Sequence, residues 1–293
     1  MKDQKKLIEV IEKYAVEPYK KSMLNEIKSS IRLKTTGKSC NEIGKTKLGG
    51  CPDLTKKISW ATSKYDKSNL SFLGQINLKE VQSFDEQELL PKKGMLYFFF
   101  NLDSGDDGKV VFTEDDSGLE KAVPPEEFKE QKKSFFQRLL TGKSRKRILK
   151  ESEVEIYREY NIPSWDSLRL ERIQKITKTD IKSINAFEEG VFEDGYEEGE
   201  TETTSNHHLL GNYKGIQNEY HELNFIDFEI GDFEKMKLSE IDEALKWRLL
   251  FQFDSDHNLE ISWGDWGRIY FFIHEEDLKR KNFDNVKISA DCY

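Results

Sequence analysis

A chain of 293 residues with a formal net charge of −9 presents a self-repelling acidic surface, which disfavours nucleic acid as a general partner and favours a basic protein. It is long enough to bury most of its apolar side chains in one large domain or two lobes, and its 19 Phe, 11 Tyr and 5 Trp predict a ring-rich core. Three cysteines, Cys40, Cys51 and Cys292, are too few and too scattered for a disulfide framework or a zinc ribbon, so a reducing, cytoplasmic setting is expected.

Leu7, Ile8, Ile11, Tyr14 and Ala15 recur at helical spacing, and Glu9, Glu12 and Lys13 interrupt any apolar run of signal-peptide kind. Pro18 breaks this helix, and the spacing resumes at Met23, Leu24, Ile27 and Ile31. Alternation over residues 30–38 predicts a strand. Gly44, Gly49, Gly50 and Pro52 predict a loop with unusual backbone angles over residues 41–55. Residues 70–78 and 95–100 read as strands, the second apolar on both faces and therefore covered on both. Asp107-Gly108 reads as a two-residue hairpin turn before Val110-Val111-Phe112, and Pro124-Pro125 closes this half.

The middle of the chain changes character. Residues 129–150 hold nine Lys or Arg against the single acid Glu130, and residues 188–202 hold eight Asp or Glu and no base. Phe135, Phe136, Leu139 and Leu140 give the basic block one apolar helical face, ending at Thr141-Gly142. That face could lie on an anionic membrane or RNA, or the two blocks could neutralise each other within the chain. Glu153-Val154-Glu155-Ile156-Tyr157 alternates as a strand closed by Pro163, and residues 179–187 are weakly helical. From His207 onward strands dominate, with a short helix over residues 238–245; residues 277–281 are too short and charged for more than a turn or helical cap. No run of about 18 apolar residues predicts a transmembrane helix. Strands and helices without regular βαβ alternation argue for an α+β fold of mainly antiparallel sheets with peripheral helices.

Two blocks recur in the same order. Phe72-Leu73-Gly74-Gln75-Ile76-Asn77 precedes Gly94-Met95-Leu96-Tyr97-Phe98-Phe99-Phe100, and Leu249-Leu250-Phe251-Gln252-Phe253-Asp254 precedes Gly267-Arg268-Ile269-Tyr270-Phe271-Phe272-Ile273. A polar Gln at the same place inside two apolar runs is not what hydrophobicity alone supplies, so an internal duplication is expected. A weaker pair, Leu48-Gly49-Gly50 and Leu209-Leu210-Gly211, precedes each. The expected repeats span about residues 45–128 and 205–293 of one domain, with the charged segment 129–204 between them.

These motifs, with Gly49-Gly50-Cys51-Pro52-Asp53-Leu54, Leu90-Pro91-Lys92-Lys93, Trp247-Arg248 and Trp263-Gly264-Asp265-Trp266-Gly267-Arg268, make the chain similar over almost its whole length to the YwqG-like family of bacterial proteins of unknown function. The resemblance implies an internally duplicated α+β fold and carries no catalytic residues. Association of such families with secreted toxins implies an immunity-type binding role. The chain departs from the family pattern where His208-Leu209-Leu210-Gly211 is followed by Asn212-Tyr213 rather than Tyr-Pro, and in the basic stretch 143–147.

Six residues are candidates for binding. Trp263 and Trp266 offer stacking surface, Asp265 and Arg268 could orient a polar ligand, and the glycines between them allow close approach; alternatively the rings close the core and the charges pair. Gln75 and Gln252 must satisfy a buried amide, either by tying down a loop or by forming a paired ligand site. Asp254-Ser255-Asp256-His257-Asn258-Leu259-Glu260 spaces oxygens like the front of a calcium loop, but Leu259 stands where Gly is required, so a solvated hairpin turn is expected. His207-His208 has no third ligand at usable spacing, and no nucleophile elbow, phosphate loop or zinc-protease helix occurs. No catalytic residue, metal or cofactor is therefore assigned. The sequence reads as a non-enzymatic protein-binding module that could neutralise a toxin or effector, with a basic partner, no DNA and an open oligomeric state. The alternative is a small-molecule-binding protein or hydrolase with its site between the repeats.

Overall fold

A computed structural model of the chain describes residues 3–105, 107–128, 147–164, 167–193, 205–217, 220–226 and 235–292. The expected basic helix and most of the expected acidic block fall on residues 129–146 and 194–202, outside the described residues. Among the described residues the chain forms α1 (Gln4–Tyr14), α2 (Tyr19–Asn25), β1 (Lys28–Thr35), β2 (Lys47–Leu48), β3 (Asp53–Leu54), β4 (Ser71–Asn77), α3 (Leu78–Val81), β5 (Met95–Phe100), β6 (Gly108–Thr113) and β7 (Glu120–Lys121). There follow β8 (Ser152–Asn161), α4 (Leu168–Thr177), α5 (Ile181–Glu193), β9 (His208–Leu209), α6 (Leu238–Ala244), β10 (Trp247–Asp254), β11 (Arg268–His274), α7 (Glu275–Lys279) and β12 (Lys287–Asp291).

Ten strands join in one antiparallel sheet of order β12-β11-β10-β9-β1-β8-β2-β4-β5-β6, and β3 pairs with β7 apart from it. The α+β class with mainly antiparallel sheets follows. β1 and β8 form the centre, paired from Lys28↔Asn161 to Thr35↔Val154. Four strands flank them on each side, and the two flanks have matching registers. Gln75 stands opposite Tyr97 in β4–β5, and Gln252 opposite Tyr270 in β10–β11. Each pair carries one irregularity, between Phe72 and Gly74 and between Leu249 and Phe251. Such a bulge adds a residue to one strand and bends it.

The bending brings the two flanks face to face. Phe98 of β5 packs 4.6 Å from Phe251 and 5.2 Å from Phe271, ring centre to ring centre, and Phe100 packs 5.5 Å from Trp263. Leu96, Phe98 and Phe100 point into this shared interior, while Met95, Tyr97 and Phe99 point outward under residues 54–72. Both sets are buried, which explains the unbroken apolar run of β5. Tyr270 and Phe272 are covered in the same way by Tyr213 on the opposite flank. The free edges β6 and β12 also meet: a Cβ on Gly108 would lie 2.4 Å from Ile288 Cδ1, so the sheet curls into a nearly closed barrel.

Helices α1, α2, α4 and α5 bury Leu7, Ile11, Met23, Ile173 and Phe187 in a separate cluster, held to the sheet partly through Tyr160. Asp3 caps α1 by accepting the Lys5 amide at 3.1 Å. Several expectations are corrected. The second helix ends at Asn25 and Ile27 and Ile31 leave it, because β1 begins at Lys28. The β5–β6 hairpin is closed by a longer loop than Asp107-Gly108: the Asn101 amide donates to the Asp107 carbonyl at 2.7 Å, and Gly108 already belongs to β6. Residues 275–279 form the five-residue helix α7, capped by His274, whose Nδ1 accepts the Glu276 amide at 3.3 Å. Helix α4 has no counterpart in the sequence reading.

Candidate functional site

Gln75 and Gln252 are fully buried on the outward faces of β4 and β10, with four strands of the sheet between them. The Asp53 amide donates to Gln75 Oε1 at 2.7 Å, and Gln75 Nε2 donates to Asp53 Oδ2 at 2.7 Å and to the Lys45 carbonyl at 2.8 Å. The Tyr97 hydroxyl completes the pin by donating to the Asp53 carbonyl at 2.6 Å. On the other flank the Lys214 amide donates to Gln252 Oε1 at 2.9 Å, and the Tyr270 hydroxyl donates to the Lys214 carbonyl at 2.7 Å. Each Gln–Tyr pair thus grips both main-chain groups of one residue, Asp53 at the start of β3 and Lys214 after Gly211. Asp53 and Lys214 stand three residues beyond Gly50 and Gly211, which have φ of +73° and +77°. Burial, with the added negative charge of Asp53, pushes the Tyr97 phenol pKa up; burial and Asp291 do the same to Tyr270.

Around Asp53 lies a cluster that sequence reasoning missed. The Lys47 ammonium, 1% exposed, lies 2.9 Å from Asp53 Oδ1 and 3.3 Å from Glu151 Oε2, and Lys121 lies 2.9 Å from the same Glu151 oxygen. The sequence offered no signal for it, since Lys47 stands in the mainly polar run Gly44-Lys45-Thr46-Lys47-Leu48, and its burial comes from the tertiary fold. This network anchors residues 44–53 to the sheet, because the Gly44 amide also donates to Asp53 Oδ2 at 2.9 Å.

Arg268 is buried and meets Gln252 on one carboxyl group: Arg268 Nε donates to Asp254 Oδ2 at 3.2 Å, and Gln252 Nε2 donates to Asp254 Oδ1 at 2.9 Å. Its terminal nitrogen donates to the Lys214 carbonyl at 3.1 Å. Trp263 is 7% exposed, between Phe100 and Phe253 in the interior. Asp265 is exposed, and Trp266 is half-buried in a left-handed conformation (φ +59°), its ring 4.3 Å from that of His257. Of the six candidates, Asp265 and Trp266 alone reach the surface.

The 254–260 loop is not solvated at its start. Asp254, Ser255 and Asp256 are buried, and their oxygens are already engaged by protein donors. Asp256 Oδ2 accepts from the Thr35 hydroxyl at 2.6 Å and from His207 Nε2 at 3.0 Å. His207 Nδ1 accepts the Asp254 amide at 3.0 Å, which places the ring proton on Nε2. Burial acts to raise the Asp256 pKa, but the His207 and Thr35 hydrogen bonds outweigh it and hold the carboxyl well below the usual range. His208 Nδ1 lies 2.8 Å from the Asn206 carbonyl and Nε2 lies 3.2 Å from the Asn212 carbonyl; burial holds its pKa below the ordinary imidazole value, and the neutral ring donates to one of the two. His221 lies 3.1 Å from Asp291 Oδ2 and 2.8 Å from Ser289 Oγ. Among the described residues no group of three or more His, Cys, Asp or Glu is placed to hold a metal ion.

A concavity lies where the two flanks meet, at the end of the curled sheet. It is a groove of about 580 Å³, walled by residues 88–93 and Glu114 on one side and by Arg248, Glu275, Leu278, Lys279 and Lys281 on the other. A second hollow of about 350 Å³ adjoins it, sharing Glu88, Leu90, Pro91 and Lys92 and lined further by Lys79, Gln82, Ser83 and Asp85. An ion pair of 2.6 Å from Lys281 to Glu114 links the two walls. Leu90-Pro91-Lys92-Lys93 is a sequence motif, but nothing in the sequence says that it faces the helix after β11.

A family model described as "Domain of unknown function (DUF1963)" matches residues 46–292. No curated protein matches the chain.

Proposed function

We propose a binding role for this chain, which belongs to the family described as a domain of unknown function (DUF1963), with the groove between the two flanks as its site. The observation that carries this reading is the groove itself: about 580 Å³ is in the range of ligand sites, and both flanks supply walls. A non-enzymatic role is supported by the buried histidines. A general base needs a lone pair facing substrate; both ring nitrogens of His207 and His221 are engaged within the fold, and His208 is buried with backbone carbonyls, not open space, beside both of its nitrogens. A protein partner is the occupant we favour, and neutralising a toxin or effector is one form this role would take. Free thiols at Cys40, Cys51 and Cys292 support a cytoplasmic setting. Among the described residues no helix is long and apolar enough to cross a membrane.

The test is a photo-crosslinking amino acid placed at exposed Lys93 in the groove, with the same group at exposed Tyr65 as control, irradiated in native cells. Specific adducts at position 93 and none at 65 are expected; equal labelling at both would reject the groove as the site.

The narrower YwqG-like assignment and the internal duplication are also proposals. They are supported by the quoted motifs, the matching Gln–Tyr registers and the bulge at the same place in each hairpin. In an alignment of family members the two hairpins should pair column by column better than scrambled apolar strands, and failure to do so would remove the duplication.

A further inference from the structure

Resting on the groove reading, we infer that the occupant is an acidic, apolar-faced peptide segment of a partner protein. The floor is apolar: Leu90 and Leu278 are 7% and 4% exposed, continuous with the shared interior, and Leu89 and Pro91 extend it. Its rim inverts the sign of the whole molecule. On a chain of net charge −9, the lining carries five cationic side chains against three carboxylates. The three carboxylates are already engaged: Glu88 lies 3.8 Å from Lys92, Glu275 lies 3.3 Å from Arg248, and Glu114 lies 2.6 Å from Lys281. Lys93 and Lys279 make up the difference in number, and Lys279 is itself engaged. The carboxylate of Lys279 comes from its own helix, Glu276 at 2.7 Å, which does not line the groove.

Shape and lining narrow the class further. The second hollow adjoins the groove, sharing Glu88, Leu90, Pro91 and Lys92 as lining, and two adjoining hollows suit an extended chain better than a compact molecule. Among the described residues no aromatic ring lines either cavity, so a nucleobase would find no stacking surface in that lining. Apolar side chains of the segment would cover the leucine floor and supply most of the affinity. Its carboxylates would meet Lys93 and Lys279 and set orientation and encounter rate, because exposed charge pairs act chiefly on association.

The experiment is fluorescence anisotropy with short labelled peptides and the full chain. The probes are an alternating Leu/Glu peptide, its Leu/Lys counterpart, a Glu/Ser peptide without apolar residues, and unlabelled dodecanoate as competitor. Saturable binding is expected for the Leu/Glu peptide alone. Combining Lys93→Glu with Lys279→Glu, both at exposed positions, should weaken it about tenfold, with circular dichroism confirming that the variant folds. Equal or tighter binding of the Leu/Lys peptide would overturn the charge assignment. Displacement by dodecanoate with no peptide preference would assign the groove to a small amphiphile instead. Failure of all peptides while position 93 still gives specific crosslinks would reject this ligand class and leave the groove standing; failure of both would remove the groove as well.

Discussion

At the scale of single residues, the decisive groups are buried and polar. Removing Gln75 leaves the Asp53 amide and the Lys45 carbonyl without their partner, and an unpaired buried group costs more than a hydrogen bond gains. Gln75→Met, which keeps the volume, should therefore lower stability in urea by on the order of 2–4 kcal/mol, and Gln252→Met by a similar amount; Tyr97→Phe should cost about 1 kcal/mol. Parental stability in either Gln variant would show that the amides are not pins. Glu222 offers a test by pH. It is 1% exposed and accepts from the Tyr213 hydroxyl at 3.2 Å, and burial raises its pKa above the ordinary 4.5, opposed by the charge of Arg169. A carboxyl whose folded pKa is raised contributes stability that is complete below its unfolded value and is lost as pH rises through the folded one. Denaturation midpoints of the parent should fall as pH rises above about 4.5, and Glu222→Gln should flatten that slope and be the more stable protein at neutral pH. An unchanged slope would mean that Glu222 ionises freely in the fold.

At the scale of elements, glycine decides how closely strands approach. A Cβ on Gly108 would meet Ile288 Cδ1 at 2.4 Å and the Phe99 carbonyl oxygen at 2.6 Å, where β6 meets β12. The side chain can move but the carbonyl belongs to β5, so Gly108→Ala should destabilise by about 1–3 kcal/mol, and shortening Ile288 to Ala in the same chain should not restore it. Full restoration would locate the strain in the side chain alone. The turn before β11 is under a tighter constraint, since a Cβ on Gly267 would lie 2.0 Å from the Asp291 carbonyl oxygen. The same turn explains the two tryptophans. Trp263 enters the interior against Phe100, and the left-handed Trp266 turns outward onto His257. The nearly continuous apolar runs of β4, β5, β10 and β11 were legible because each strand is covered on both faces. Helix α4 was not, since its buried face is only Leu168, Leu170 and Ile173, set among charged residues.

At the scale of the whole molecule, the flanks share one interior and cannot separate. β8 runs along all of β1 and also pairs with β2, while β9 joins β1 to β10. A chain cut after residue 128 loses β8 and the facing rings Phe251 and Phe271, so it should show no cooperative melt, whereas the intact chain should unfold in one transition. Two separated transitions in the intact chain would contradict the shared core. If the partner is basic, a net charge of −9 predicts that raising salt from about 0.05 M to about 0.5 M slows association far more than it speeds dissociation; stopped-flow kinetics would read this, and salt-independent association would reject it.

By itself the sequence determined the class of fold, the apolar strands and their order along the chain, the break at Pro18 and the recurrence of a Gln-bearing run ahead of an aromatic one. These are properties of local spacing and composition, set by which faces a segment must bury. Only the tertiary structure decided where those segments meet. The curl of the sheet took Trp263 into the interior, placed Gln75 and Gln252 on faces four strands apart, and buried Lys47 between Asp53 and Glu151. It also set Lys92 and Lys93 opposite Arg248 and Lys279, positions more than 150 residues apart in the chain. Charge and burial at a site are sums over neighbours in space, and spacing along one chain does not contain them.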